Sequence, residues 1–527
     1  MNRKFIICFL ILFSLVIVYK CQGSALFNKY LFHNDSSQYT FAFYRFNDAQ
    51  LFNGDIYADY ALRYNTPGVV LIYSFLSRFV DPVLISKTLP FVLCPIAAVY
   101  AFLIGDKARK GFTGILMAIM FVMQTWTFSC FSGGHPRAFA FPLLFGAIYY
   151  LLIKRDDLFV LILFLQIVIY PPVALITLTA WFFLTSQNML KSRPSFRGIF
   201  KPALILISAT CLLMFLYKPV DPFLGPSFTK AEMVKMPEFY MEGRDPHFIT
   251  SLKMLREDNI AENVTGLPVY TPLTWMLIMG AGAALILSRS RAVHIDRVMQ
   301  AIGISSLFLY IMAWILFFDL FSPGRYIKYG LLVYLIFMNA WMLDHFILSI
   351  GKRYIKLLIL ICLIILVHVP FLNPDVVLHE KYKLYEFVSS LPKTVLVAGH
   401  PDEMDDIPLL TKRKAFVQFE TALPYYKNYY EQVSRRTYDF FRMYYSSDRD
   451  VIKNVCDRYG INYILVKKDH FKREYLNNDA YYLNPFNDVI KAVVSANRLK
   501  GFILENIPSQ LYVYEDENYY LVDPQKI

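Results

Sequence analysis

The chain has 527 residues, of which 56% are hydrophobic, 17% aromatic and only 18% charged. A soluble protein carries about 25% charged residues to cover its surface, so an ordinary cytosolic enzyme, a disordered chain and a fibrous repeat are excluded. A polytopic membrane protein remains. The net charge of +12 is not a nucleic-acid footprint: residues 372–527 hold 21 Lys and Arg against 22 Asp and Glu, and the first 371 hold 32 against 19. The excess lies in short loops between apolar runs, where it fixes membrane orientation.

A membrane span needs about 20 apolar residues. Basic residues 1–4 precede an apolar run at 5–19, read as an uncleaved first span with a cytoplasmic N-terminus. A polar, aromatic stretch follows, and then a second span at 83–104. Later spans are predicted at 112–129, 138–153, 158–170, 172–184, 202–217, 268–288, 298–318, 326–348 and 357–371. With eleven crossings, the basic clusters at Lys107/Arg109/Lys110, Lys154/Arg155, Lys191/Arg193/Arg197/Lys201, Arg289/Arg291/Arg297 and Lys352/Arg353/Lys356 all fall on the cytoplasmic side. The run 158–184 carries Pro171-Pro172 in its middle. It reads as two short helices meeting at a proline break, a geometry tolerated in a membrane only where protein buries it.

This topology divides the chain into a membrane part, 1–371, and an extracytoplasmic α/β domain, 372–527. Outer loops lie at 28–82 and 218–267. In the tail, a helix is predicted near 379–391, an apolar β run at 394–398, another run at 415–419 and a Tyr-rich helix over 424–445. A helix at 448–459 ends at Gly460, a C-cap signal, and a buried strand at 461–466 follows. Residues 512–514 and 519–522 read as a closing hairpin. Eighteen of the 38 tyrosines lie in this tail. Their faces suit sugar stacking or packing at a membrane interface, and the interface is the reading taken for most. The seven cysteines form no CxxC or Cys/His cluster, so neither a disulfide framework nor a structural zinc is expected.

Charged groups at membrane borders are the candidates for chemistry. Asp35 lies just beyond the first span, two residues after His33. It reads either as the N-cap of a helix starting at Ser36 or as a carboxylate that deprotonates a hydroxyl or holds a divalent cation. Asp55 and Asp59 follow in the Gly-Asp-x-x-x-Asp-Tyr stretch at 54–60. Gly133-Gly134-His135-Pro136-Arg137 forms a tight turn entering a span, where Arg137, absent a partner, snorkels. Arg325 and Lys328 stand at the outer end of a span against the positive-inside bias. A specific lipid phosphate or ordinary headgroups would each account for them. In the second outer loop Arg244 sits among Glu238, Glu242 and Asp245. Asn34-Asp35-Ser36 and Asn263-Val264-Thr265 match the glycosylation sequon. No P-loop, dinucleotide fingerprint, HExxH or GxSxG elbow occurs, which disfavours a nucleotide-driven pump and a soluble-type hydrolase.

Several of these features together resemble the GT-C superfamily of membrane glycosyltransferases, nearest to its protein mannosyltransferase-like, poorly characterised bacterial branch. They are Asp35 leading into an aromatic amphipathic helix to Phe46, the 54–60 stretch, the Pro67-Gly68 helix start and the helix-Gly-strand element at 458–466. The resemblance implies about eleven transmembrane helices with an extracytoplasmic α/β domain, in the plasma or inner membrane. It implies inverting transfer of a sugar from a polyprenyl-phosphate-linked donor to an acceptor hydroxyl of a glycan, lipid or protein at the outer membrane face. Asp35 would be the general base, and Arg325, Lys328 and Arg137 would hold the donor phosphate. His33, Asp55, Asp59, His135 and Arg244 would bind the acceptor or support the site. A divalent cation is compatible with this set but not required by it; membrane lipids are partners and nucleic acid is not. Two departures stand out. The acidic pair of the first loop reads Asn34-Asp35, and the tail lacks the paired tryptophans plus aspartate of oligosaccharyltransferases, so peptide-asparagine glycosylation is not expected. A non-catalytic scaffold, through Asn34, and a transporter or flippase, through the Pro171-Pro172 break, are the readings from other classes.

Overall fold

Asn2 starts the first helix by accepting the Lys4 N–H on its side chain, and the helix runs over Arg3–Phe27. A computed structural model of the chain describes residues 2–109, 111–124, 130–191, 196–217, 220–246, 296–316, 320, 323–348, 353–368, 376–478 and 480–527. The expected span at 268–288, the sequon at Asn263 and part of the 218–267 loop lie outside the described residues.

Among the described residues five helices are long and apolar enough to cross a membrane: Arg3–Phe27, Pro82–Ala108, Pro171–Leu190, Arg297–Ile315 and Gly324–His345. Shorter apolar helices occur at Pro67–Leu76, Thr113–Val122, Pro136–Leu152 and Pro202–Tyr217. Their outward faces carry exposed Phe5, Leu12, Val16, Leu204, Ile207 and Phe215, apolar surface that only lipid would cover. The chain is an integral membrane protein.

The helix over Pro82–Ala108 begins with Pro at its first turn, while the Asp81 carboxylate accepts the Val83 N–H at 2.8 Å. It crosses the Thr113–Val122 helix where two glycines meet. A Cβ on Gly105 would stand 2.6 Å from the Gly114 Cα, so only residues this small let the backbones approach. The predicted proline break is present. Helices Asp156–Ile169 and Pro171–Lys191 meet at Tyr170, whose φ of −150° and ψ of 84° interrupt the helical path. The second helix is 21 residues long, longer than the sequence indicated.

The tail builds a five-stranded sheet in the order β4-β3-β5-β7-β6, formed by β3 (Leu396–Ala398), β4 (Lys414–Ala415), β5 (Tyr463–Lys467), β6 (Tyr512–Glu515) and β7 (Tyr519–Val522). β3 pairs in parallel with β4 and β5, and β7 runs antiparallel to β5 and β6. Gly460 ends the Arg449–Tyr459 helix at φ +68°, a left-handed cap that turns the chain into β5,. The tail tyrosines correct the sequence reading. Tyr425, Tyr429, Tyr430, Tyr444 and Tyr445 are buried in protein cores rather than spread on a membrane surface. Tyr429 stacks on Tyr60 of the first loop at 4.1 Å, so these rings join the tail to the loop.

A second, two-stranded sheet makes the same connection. β1 (Leu31–Phe32) pairs antiparallel with β2 (Val377–Leu378), where the chain leaves its last apolar helix. The Phe32 ring lies flat on His379, 4.1 Å between centroids. The segment that follows β1 is the one that carries His33 and Asp35.

Candidate functional site around Asp35

The turn after β1 is built from local bonds. Ser36 N–H donates to His33 O and Ser37 N–H to Asn34 O, while the Asp35 N–H donates to His33 Nδ1 at 3.1 Å. Asp35 occupies the position before the short Ser36–Tyr39 helix, yet its side chain makes no capping bond. The carboxylate turns away and accepts from Arg137 Nη2. His135 Nε2 lies 3.7 Å and His33 Nδ1 3.8 Å from the same oxygen, Oδ2. The structure therefore brings together four of the residues singled out from sequence, and gives Arg137 a partner in place of snorkelling.

Two glycines make this convergence possible. Gly133 and Gly134 both have positive φ, +78° and +70°. A Cβ on Gly133 would stand 2.8 Å from His135 Cδ2 and 3.2 Å from His33 Nδ1, and one on Gly134 would collide with the Tyr73 hydroxyl. Side chains are excluded here by backbone conformation and by space alike.

Asp35 and Arg137 keep 27% and 32% of their side-chain surface accessible, although protein packs around both. Burial opposes the Asp35 charge, but the Arg137 guanidinium, helped by the imidazoles, outweighs it and holds the carboxyl well below the usual carboxylate range,. Burial and the nearby Arg137 charge push His135 down to about 3, so its imidazole is neutral. The Tyr39 ring meets His135 edge-on at 5.3 Å and stacks on Tyr64 at 5.4 Å. Tyr39 and His135 each lie within electrostatic reach of both Asp35 and Arg325. Lys328 is half-buried on the π-helical turn Ile327–Leu331, three residues further on.

The remaining candidates are engaged elsewhere. Asp55 is buried and caps the Ile56–Tyr64 helix, accepting the Tyr57 and Ala58 N–H groups at 2.9 Å. Asp59 pairs with Arg45 at 2.6 Å. Arg244 ties the 220–246 segment to the tail through Phe419 O, Glu420 O and the Glu420 carboxylate. Glu420 also accepts from Gln38 Nε2 at 2.5 Å, a contact across 382 residues that no local pattern announces.

His33, Asp35 and His135 offer three ligand atoms within 4.8 Å of one another. Among the described residues His135 Nε2 is buried without a hydrogen-bond partner, 3.7 Å from Asp35 Oδ2. Two imidazole nitrogens and one carboxylate oxygen suit a first-row transition ion better than magnesium, so the residues fit a divalent metal.

No protein-family model matches the sequence, and no curated protein matches it. The fold is nonetheless shared with solved structures. The apo oligosaccharyltransferase of Archaeoglobus fulgidus matches with a TM-score of 0.53 at 11% identity, over 92% of this chain and 72% of that one. The same archaeal enzyme in complex with Zn and sulfate gives 0.48 at 11% identity over 92% and 70%. Its complex with an inhibitory peptide and a dolichol-phosphate gives 0.49 at 12% over 90% and 70%. The chain thus shares the fold of the apo oligosaccharyltransferase, an apolar helical bundle followed by a sheet-containing C-terminal region.

Proposed function

We propose that this protein transfers a sugar from a polyprenyl-phosphate-linked donor to an acceptor hydroxyl at the outer membrane face, with inversion. The observation that carries the reading is the meeting of Asp35 with Arg137, His33 and His135, with the carboxylate and the guanidinium partly accessible, on a fold of the GT-C kind. Asp35 takes the proton of the acceptor hydroxyl as its oxygen bonds to the anomeric carbon, and the bond from that carbon to the phosphate oxygen breaks. Arg325, Lys328 and Arg137 hold the phosphate and stabilise the charge it gains.

The Asp35–Arg137 pair also gives this reading an order of events. A carboxylate held by a guanidinium is a poor base. A donor phosphate competes for Arg137, and the carboxylate becomes free when the electrophile is in place. A divalent metal on His33, Asp35 and His135 would supply Lewis-acid stabilisation to the same phosphate.

The test is glycan transfer in the host cell by full-length Asp35→Asn and Arg325→Ala variants at matched membrane levels. Loss of product in both supports the mechanism. Unchanged glycans in both overturn it in favour of a non-catalytic scaffold.

A further inference from the structure

The helix break at Tyr170 plays no part in the chemistry above, yet it brings a tyrosine hydroxyl to Arg325. Pro171 supplies no backbone N–H, and the break in the helical path leaves Tyr170 N–H bonded to Gln166 O at 2.7 Å,. The side chain is almost fully buried. Its hydroxyl donates to the Tyr329 hydroxyl at 3.2 Å, and the rings meet at 5.4 Å in an edge contact. That leaves the oxygen's lone pairs for Arg325, whose Nη1 stands 3.5 Å away. Tyr329 is presented by the π-helical turn Ile327–Leu331, a wider turn than an α-helix makes. Gly330 on that turn packs so closely on Ser306 that a Cβ there would overlap the Ser306 hydroxyl. The two tyrosines are therefore fixed from two sides, one by a proline break and one by a π turn.

Resting on the transferase reading, we propose that Tyr170 is a positioning residue: its hydroxyl sets the direction in which Arg325 presents its guanidinium to an anionic lipid phosphate. A flexible arginine loses side-chain entropy when a ligand orders it. An acceptor fixed beside Nη1 orders it beforehand, and the benefit falls on the ligand that carries the phosphate. An uncharged lipid of the same chain length gains nothing from it.

The experiment uses the full chain in lipid nanodiscs and two probes, undecaprenyl phosphate and undecaprenol. Wild type is expected to bind the phosphate more tightly than the alcohol. Tyr170→Phe keeps the ring and the packing, and is expected to weaken phosphate binding roughly 3- to 10-fold, the loss of one long charge-assisted contact, with alcohol binding unchanged and a small fall in melting temperature from the lost bond to the Tyr329 hydroxyl. Arg325→Ala should remove the preference for phosphate altogether, and Tyr170→Phe added to it should then have no further effect. Phosphate binding by Tyr170→Phe equal to wild type overturns the inference and leaves the transferase reading standing, as does an equal loss for both probes. Absence of any phosphate preference in wild type overturns both.

Discussion

Arg137 donates to the carboxylate of Asp35 across 102 residues of chain, and two imidazoles stand 3.8 and 3.7 Å from the same carboxylate oxygen. The pair sets the proton affinity of the site. With Arg137 present the carboxyl is held well below the usual carboxylate range. In Arg137→Ala burial is opposed only by the two imidazoles, and the Asp35 pKa rises. The acid limb of donor kcat/KM should then move up into the range of about pH 4 to 6, with a higher donor KM. A pH profile that superimposes on wild type would show that Asp35 does not titrate in the reaction.

Gly133 and Gly54 form a matched pair. Both have positive φ, but a Cβ on Gly54 would find nothing within 4 Å, whereas one on Gly133 would press on His135 and His33. Gly54→Ala should cost about 1 kcal/mol of stability through the backbone and leave transfer intact. Gly133→Ala should lose transfer and any Mn²⁺ or Zn²⁺ binding, measured by calorimetry, at a similar melting temperature. Equal activity in the two variants would detach the double glycine from the site.

The tail holds a pair of buried imidazoles with consequences for its pH stability. The rings of His400 and His470 lie 4.7 Å apart and both are buried. Burial, with the neighbouring His400 and Lys467, pushes His470 down to about 2, and burial lowers His400 too. The unfolded tail takes up these protons near pH 6.5 and the folded one does not, so stability is full above about pH 6.5 and falls as pH drops toward 2. Each imidazole contributes up to about 1.4 kcal/mol per pH unit. Hydrogen exchange of peptides spanning 441–482, corrected for intrinsic rates, should show opening that becomes easier below pH 6.5. His470→Phe should flatten that slope, and a parallel slope would refute the assignment.

What the sequence revealed and what it withheld divide by range. Gly460, the 512–522 hairpin and the Pro171 break were legible because each is decided by a few adjacent residues. The role of Asp35 was not, since cap and ion pair look alike until Arg137 arrives from a distant helix. The tail tyrosines were misread for a related reason: an amphipathic ring suits a membrane interface and a protein core equally, and only the Tyr60–Tyr429 stack decides between them. Asp55 caps the helix that begins at the next residue, a role its spacing from Tyr57 and Ala58 already permitted. Tyr170 carried only one signal, its place directly before a double proline.

The opposite end of the helical bundle contains a carboxylate with a different task. The helix Thr113–Val122 has Phe112 at its cap position and no side-chain capping bond of its own. Asp344, fully buried on the Leu332–Leu348 helix, accepts the Phe112 N–H and the Thr113 hydroxyl, both at 2.9 Å. Arg109 Nε stands 3.3 Å from the same carboxylate, and its guanidinium lies over the Trp341 ring. One carboxylate thus caps a helix from a neighbour and neutralises a cation, so Asp344→Ala strands both. The expected cost is about 3 to 5 kcal/mol, with Asp344→Asn losing less because its one amide oxygen still accepts the Phe112 N–H,. Thermal melts of the full chain in detergent would show the order wild type, Asn, Ala. Undecaprenyl phosphate binding by the folded fraction should match wild type, because Asp344 contributes to the bundle and not to the site around Asp35. A melting temperature for Asp344→Ala within about 1 °C of wild type would mean that the helix start is held by something other than this carboxylate.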